Sequence, residues 1–276
     1  MQVLVTGGSG WIGQATQAAL KRARHSPVCF DRSDGDDVRN ATSVFDAVRR
    51  VDHVVHLAGL LGTHELFARP ATAVEVNVLG SLHVTQACAD LNVGLTEITM
   101  PRVNPSLYAA TKACAMDIAE AYRIAGRLRV SYVRAYNAFG PGQCYGGDHP
   151  QKIIPTFASR GWIGEPLPVW GNGTLLTDLV HVDDVARMLV EAMAFGDGQV
   201  FDAGTGYAQP VLAVAERVIE LTGGQSKVEF LAPRPGERAE STQLDWAAGD
   251  GWELLNGWHP IFEPERLAQT VDTYRP

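Results

Sequence analysis

Val3-Leu4-Val5-Thr6-Gly7-Gly8-Ser9-Gly10-Trp11-Ile12-Gly13 is the stretch that decides the fold. Three apolar residues of strand type run directly into glycines at 7, 10 and 13, after which the pattern becomes helical. Glycines at these positions let a strand turn tightly into a helix whose first amide groups face a pyrophosphate. Further along, an apolar run over 27–31 ends on Asp31, 18 residues beyond Gly13. That is near the spacing at which a carboxylate bonds the hydroxyls of an adenosine ribose, which favours NAD over NADP. Arg32 beside it also suits a 2′-phosphate, so the acidic residue and the basic one point in opposite directions.

Beyond this loop, strand-like runs alternate with longer helical patterns. Strands are predicted at 2–6, 27–31, 53–57 and 128–134. Helices are predicted at 12–24, 41–50, from Pro70 to about Leu91, and from Tyr108 onward. Proline suits the first turn of a helix because its missing amide hydrogen is not needed there. The order is that of an α/β, Rossmann-type doubly wound parallel sheet over 1–140. After Gly140-Pro141-Gly142 the elements shorten between glycines and prolines, which predicts a smaller, mostly C-terminal substrate region over 141–276. Returns to the Rossmann sheet are expected near 180–205, and a closing helix at 264–274.

The composition narrows the function classes. The 276 residues suffice for a sizeable core. The net charge is −8 and basic residues do not cluster, which argues against nucleic acid or an anionic membrane as partner. No apolar run approaches the roughly 20 residues of a membrane span, and the N-terminus is not a basic-then-apolar leader, so a cytoplasmic protein is expected. Cys29, Cys88, Cys114 and Cys144 show neither Cys-x-x-Cys pairing nor metal-like clustering, and reduced thiols with no metal are expected.

In the middle of the chain, Tyr108-Ala109-Ala110-Thr111-Lys112 places a phenol and an ammonium four residues apart, on one face of a helix. A free phenol titrates near 10 and is a poor base at neutral pH. Two positive charges about 6 Å away, Lys112 and an oxidised nicotinamide, would each contribute roughly 3 kcal/mol at an effective dielectric near 20 and bring it down. Tyr-x-x-x-Lys alone also occurs as an ordinary helix pair. Its weight comes from the company it keeps.

That company includes Asp37-Val38, His56-Leu57-Ala58-Gly59, Asn77-Val78-Leu79-Gly80, the run from Arg134 to Gly142, the run from His181 to Ala186, and Arg234-Pro235-Gly236-Glu237. Almost end to end, the chain resembles the extended branch of the short-chain dehydrogenase/reductase family, the NAD-dependent epimerases and dehydratases of nucleotide sugars. The resemblance implies NAD as cofactor, held by Gly7, Gly10, Trp11, Ile12, Gly13, Asp31, Arg32, Asp37, Val38, Leu57, Ala58, Gly59 and Asn77 together with Tyr108 and Lys112. It implies Tyr108 and Lys112 as the catalytic pair, and Asn137, Arg234 and Glu237 as contacts to a nucleotide-diphosphate sugar. It implies a homodimer through the helices near 70–91 and 108–125. One departure is Thr177, where the family has a phosphate-binding arginine before Asp178; Arg234 must then do more, or Arg187 or Arg238 must help.

The expected activity is 4-epimerisation of a UDP-hexose. The alternatives are a 4,6-dehydratase, a sugar reductase or dehydrogenase, and a catalytically silent dinucleotide sensor.

A second departure concerns the interval from Leu91 to Tyr108. The family has a central strand there, ending on a Ser or Thr that bonds the substrate hydroxyl. Leu95 through Pro105 reads instead as the polar lead-in to the tyrosine, leaving no residues for the strand. Strands lie about 4.8 Å apart, so removing an interior one would strand two ladders of backbone groups. The sequence therefore predicts a break in the chain near Val93–Leu95 and an empty slot between the strands at 53–57 and 129–134. The alternatives are a repaired sheet with Thr96 or Thr99 supplying the hydroxyl, or a site without one. Asp34–Asp37 is similarly terse where an outer strand is expected.

Overall fold

Val3, Val5, Val54, Val55, Val130 and Val133 are all fully buried, as in strands covered on both faces. In the computed structural model, which describes residues 1–62, 64–101, 106–146, 152–233 and 252–276, these valines build one parallel sheet. The chain opens with β1 (Gln2–Thr6), α1 (Trp11–Arg22), β2 (Ser26–Phe30), α2 (Ala41–Val48) and β3 (His53–His56). A helical arm follows: α3 (Pro70–Val74), a π-helical stretch (Glu75–Gly80) and α4 (Ser81–Leu91). Next come β4 (Gly94–Thr99), α5 (Leu107–Ile124) and β5 (Val130–Ala135). The remainder comprises β6 (Asn137–Phe139), α6 (Ile153–Trp162), β7 (Leu167–Trp170), β8 (Leu176–His181), α7 (Val182–Ala192), β9 (Asp197–Ala203), β10 (Ala208–Pro210), α8 (Val211–Leu221), β11 (Val228–Leu231) and α9 (Pro264–Asp272).

The main sheet runs β2-β1-β3-β4-β5-β9, all parallel. Side chains alternate between its two faces, so Val3 and Val5 enter one apolar core with α7, while Leu4 enters the other with α2 and α4. A third core, around Phe139, Phe157, Leu179 and Val214, lies under two small sheets ordered β10-β8-β6 and β11-β7. Trp11 ties the first helix to the turn after β6, its indole N–H donating to the Pro141 carbonyl at 2.8 Å.

The predicted chain break does not exist. Asn92 takes a left-handed conformation at φ 53° to end α4, and the Val93 amide donates to the Cys88 carbonyl at 2.9 Å. The chain passes straight into β4, which pairs with β3 from His53↔Gly94 to His56↔Glu97 and with β5 from Leu95↔Val130 to Thr99↔Arg134. The stretch read as polar lead-in is the central strand itself. Its polar residues misled the reading because their partners lie on other strands: Thr96 Oγ1 meets His53 Nε2 at 2.9 Å and Ser131 Oγ at 3.2 Å. What is short is the link from β4 to α5, residues 100–106. A short helical turn (Arg32–Asp34) leads into Asp34–Asp37, where no outer strand forms, and β2 is the sheet edge.

Candidate active site

Strand order reverses between β1 and β3, so the crevice at their carboxyl ends is the natural ligand site of such a sheet. A cleft of about 910 Å³ opens there. The chain leaves β1 through Gly7 at φ +69°, where a Cβ would stand 2.8 Å from the Ala58 nitrogen. A Cβ on Gly13 would stand 2.2 Å from the Gly7 carbonyl oxygen. Only hydrogen fits at either place, which is what draws strand, loop and helix together. Gly10 is the N-cap of α1 and offers no side-chain cap, and the first turn holds no acid, whereas Lys21 and Arg22 occupy the last turn. The helix thus brings unsatisfied amide groups and the positive end of its dipole to the cleft, lined here by Gly10 to Gln14.

Asp31 follows β2 and is held in place by its own turn. Its Oδ1 accepts from the Ser33 amide and hydroxyl, both at 3.0 Å, and its Oδ2 from the Ser9 amide at 3.1 Å. Arg32 also lines the cleft. The Asp37 carboxylate is held below its usual range by hydrogen bonds from Arg39, whose Nε lies 3.0 Å away. Val38 is buried against Gly80. Leu57, Ala58 and Gly59 line the cleft beside the glycine loop, and Thr6 Oγ1 accepts from the Leu57 and Ala58 amides at 3.2 Å. A glycine cradle that any Cβ would fill, an uncapped helix N-terminus and an oriented carboxylate together fit a dinucleotide.

Asn77 sits beneath this wall rather than in it. Fully buried in the π-helical stretch, it accepts from the Leu60 amide at 2.7 Å and donates to the Leu60 carbonyl and to Thr111 Oγ1, each at 3.0 Å. It belongs to a buried polar chain running from β1 to α5. Thr6 Oγ1 meets His56 Nδ1 at 2.7 Å, His56 Nε2 meets Ser81 Oγ at 2.8 Å, and Ser81 donates to the Asn77 carbonyl. Since Ser81 donates to Asn77, His56 must donate from Nε2 and accept at Nδ1. The ring is neutral, and burial pushes it down to about 3.

On α5, Ser106 Oγ accepts from the Ala109 amide at 3.1 Å and caps the helix. Tyr108 and Lys112 therefore stand one turn apart, and both line the cleft with Thr99 at the end of β4. Tyr108 is partly buried, and burial pushes its phenol up to about 12. The Lys112 ammonium lies 3.4 Å from Glu97 Oε1, with both side chains almost wholly buried.

On the substrate side, Asn137 lines the cleft and its amide donates to Thr177 Oγ1 at 2.6 Å, so the two polar groups act as a unit. Arg234, Glu237 and Arg238 lie outside the described residues. Arg187 is occupied elsewhere, 2.6 Å from Glu191 and stacked 3.8 Å over the Trp258 ring. Lys152 does line the cleft, a cation the motif reading passed over. Glu97 was missed for the same reason as its strand, and Thr99 stood only as an alternative source of the hydroxyl; every residue of β4 but Ile98 is buried, so no polar–apolar alternation marked the strand. No helix among the described residues is long and apolar enough to cross a membrane.

Comparison with known proteins agrees with this geometry. A dTDP-glucose 4,6-dehydratase from Actinoplanes sp. is 28% identical, over 100% of this chain and 98% of its own length. A UDP-glucose 4-epimerase from Mycolicibacterium smegmatis is 27% identical, over 100% and 99%. The crystal structure of Thermus thermophilus UDP-glucose 4-epimerase in complex with NAD superposes with a TM-score of 0.85 at 26% identity, covering 100% of this chain and 99% of that one. Residues 3–204 match the model of the NAD dependent epimerase/dehydratase family. With a parallel α/β sheet, a glycine cradle and a tyrosine–lysine helix in one cleft, the chain is an NAD-dependent member of that epimerase/dehydratase family.

Proposed function

We propose that the protein is a nucleotide-sugar 4-epimerase acting on a UDP-hexose. The observation that carries this reading is the meeting of Thr99, Tyr108 and Lys112 in the glycine-loop cleft, with Met100 and Pro101 directly after the threonine. When bound, NAD supplies reversible two-electron oxidation of the sugar carbon. The chain's own residues do the rest. The N-terminus of α1 binds the pyrophosphate and Asp31 the adenosine ribose. Thr99 Oγ1 holds the 4-hydroxyl by a hydrogen bond, while Tyr108 Oη removes its proton as a base and returns a proton as an acid. Asn137 and Thr177, with Arg234 and Glu237, take the substrate's diphosphate and nucleoside.

A 4,6-dehydratase also needs an acid and a base to remove the C5 proton and expel the C6 hydroxyl. Residues 100–107, Met-Pro-Arg-Val-Asn-Pro-Ser-Leu, contain no carboxylate to serve. A silent sensor would have no use for the three groups together. The test is to incubate the protein with UDP-glucose, UDP-galactose and dTDP-glucose, following products by NMR and NADH by absorbance. Interconversion of the two UDP-hexoses without lasting NADH is expected; a 4-keto-6-deoxy product or stoichiometric NADH would overturn the reading.

Thr99→Ala should lower kcat at least about tenfold, the worth of one hydrogen bond of roughly 1.4 kcal/mol made at the reacting hydroxyl, with little change in KM. Unchanged kcat would remove Thr99 from the site. Val74 and Leu79, 47% and 41% exposed on the helical arm, support a homodimer through this arm and α5. A dimer mass in light scattering at micromolar concentration is the expected result, and a monomer would refute it.

A further inference from the structure

Strands of a parallel sheet covered on both faces are built of apolar residues, yet a polar row crosses the middle of this one. His56 of β3, Glu97 of β4 and Tyr132 of β5 are register partners, at most 1% exposed. Lys112 reaches this row from α5 through Glu97 Oε1. The neighbours cannot balance that ammonium. His56 is neutral, with both ring nitrogens engaged by Thr6 and Ser81. Tyr132 is held protonated by burial, with the Glu97 and Glu120 carboxylates adding to the effect and Arg123 opposing it. Burial pushes the Glu97 carboxyl up while the Lys112 ammonium pulls it down, so the two charges depend on each other; its second oxygen, Oε2, is buried without a hydrogen-bond partner among the described residues.

Stability does not account for the arrangement. A buried ion pair is commonly no better than two apolar side chains of the same volume, and here one carboxylate oxygen finds no partner among the described residues. What the carboxylate does engage is the cleft-lining ammonium one turn from Tyr108.

We propose that Glu97 is a positioning residue of the active site: it tethers the Lys112 ammonium to β4 and balances its charge, and so sets how much positive charge reaches Tyr108. The inference rests on the acid–base role proposed for Tyr108 and deepens it. Without the carboxylate, Lys112 presents an uncompensated charge that favours the phenolate.

The experiment is NMR of NAD-saturated protein labelled with [ζ-¹³C]tyrosine, the Tyr108 signal being assigned by its loss in Tyr108→Phe and followed against pH. In Glu97→Gln the midpoint should fall by about one pH unit, a tenfold rise in phenolate at fixed pH. In a Lys112→Met background the same substitution should move it far less. A midpoint equal to wild type, or a full shift without the lysine, overturns the proposal. Glu97→Asp keeps the charge but retracts it, and its midpoint should lie between. If Glu97→Gln does not fold, a Glu97→Asp midpoint identical to wild type is the overturning result. No sugar is present, so this titration can fail while the epimerase reading stands, and absence of epimerase activity would leave it unmoved.

Discussion

Tyr108→Phe should keep the fold and NAD affinity while lowering turnover about 10²-fold or more, the usual contribution of a positioned acid–base group. In free-energy terms that is at least about 2.7 kcal/mol of transition-state stabilisation. The phenyl ring fills the same partly buried space on α5, so the loss isolates the hydroxyl. Because burial alone pushes the phenol up to about 12, the wild-type rate should rise with pH as the phenolate forms in the loaded enzyme. The residual rate of the Phe variant should lack that rise. Calorimetry of NAD binding and a pH profile of kcat/KM check both halves, and near-normal turnover in the variant would exclude Tyr108 from proton transfer.

Gly13→Ala should have the largest effect on the cofactor. Its new methyl would lie 2.2 Å from the Gly7 carbonyl oxygen and 2.7 Å from that of Gly8. Both are backbone atoms of the turn, so no side-chain rotation can relieve the clash; α1 must move away from the loop. Overpacking of this kind costs about 1–3 kcal/mol of stability. Withdrawing the helix N-terminus from the pyrophosphate should cost at least about 100-fold in NAD affinity, or roughly 2.7 kcal/mol. Gly10→Ala is the comparison, since its Cβ would meet the Gly7 oxygen at 3.1 Å and needs only a small adjustment. Melting temperature and NAD titration should rank Gly13→Ala well below Gly10→Ala; equal behaviour would mean the cradle is not tightly closed.

The parts whose chemistry is local were legible in the chain alone. Gly7, Gly10 and Gly13 encode a turn within a few residues, Tyr108 and Lys112 face one way because a helix repeats every 3.6 residues, and alternating apolar runs imply a parallel α/β sheet. Together with the accompanying motifs from Asp37-Val38 to Arg234-Pro235-Gly236-Glu237, these features gave the family, the fold class and NAD. The central strand was illegible. Gly94-Leu95-Thr96-Glu97-Ile98-Thr99 carries too many polar residues to read as a buried strand, because what satisfies them comes from elsewhere: His53 and Ser131 for Thr96, and Lys112 for Glu97. It took the packed fold to establish that this stretch fills the sheet, that Thr99 lines the cleft with Tyr108 and Lys112, and that this cleft-lining lysine is paired with Glu97 of β4. A buried polar group is stable only with its partner in place, and when that partner lies on a different strand or helix, tens of residues away for His53 and Ser131, no local pattern announces it.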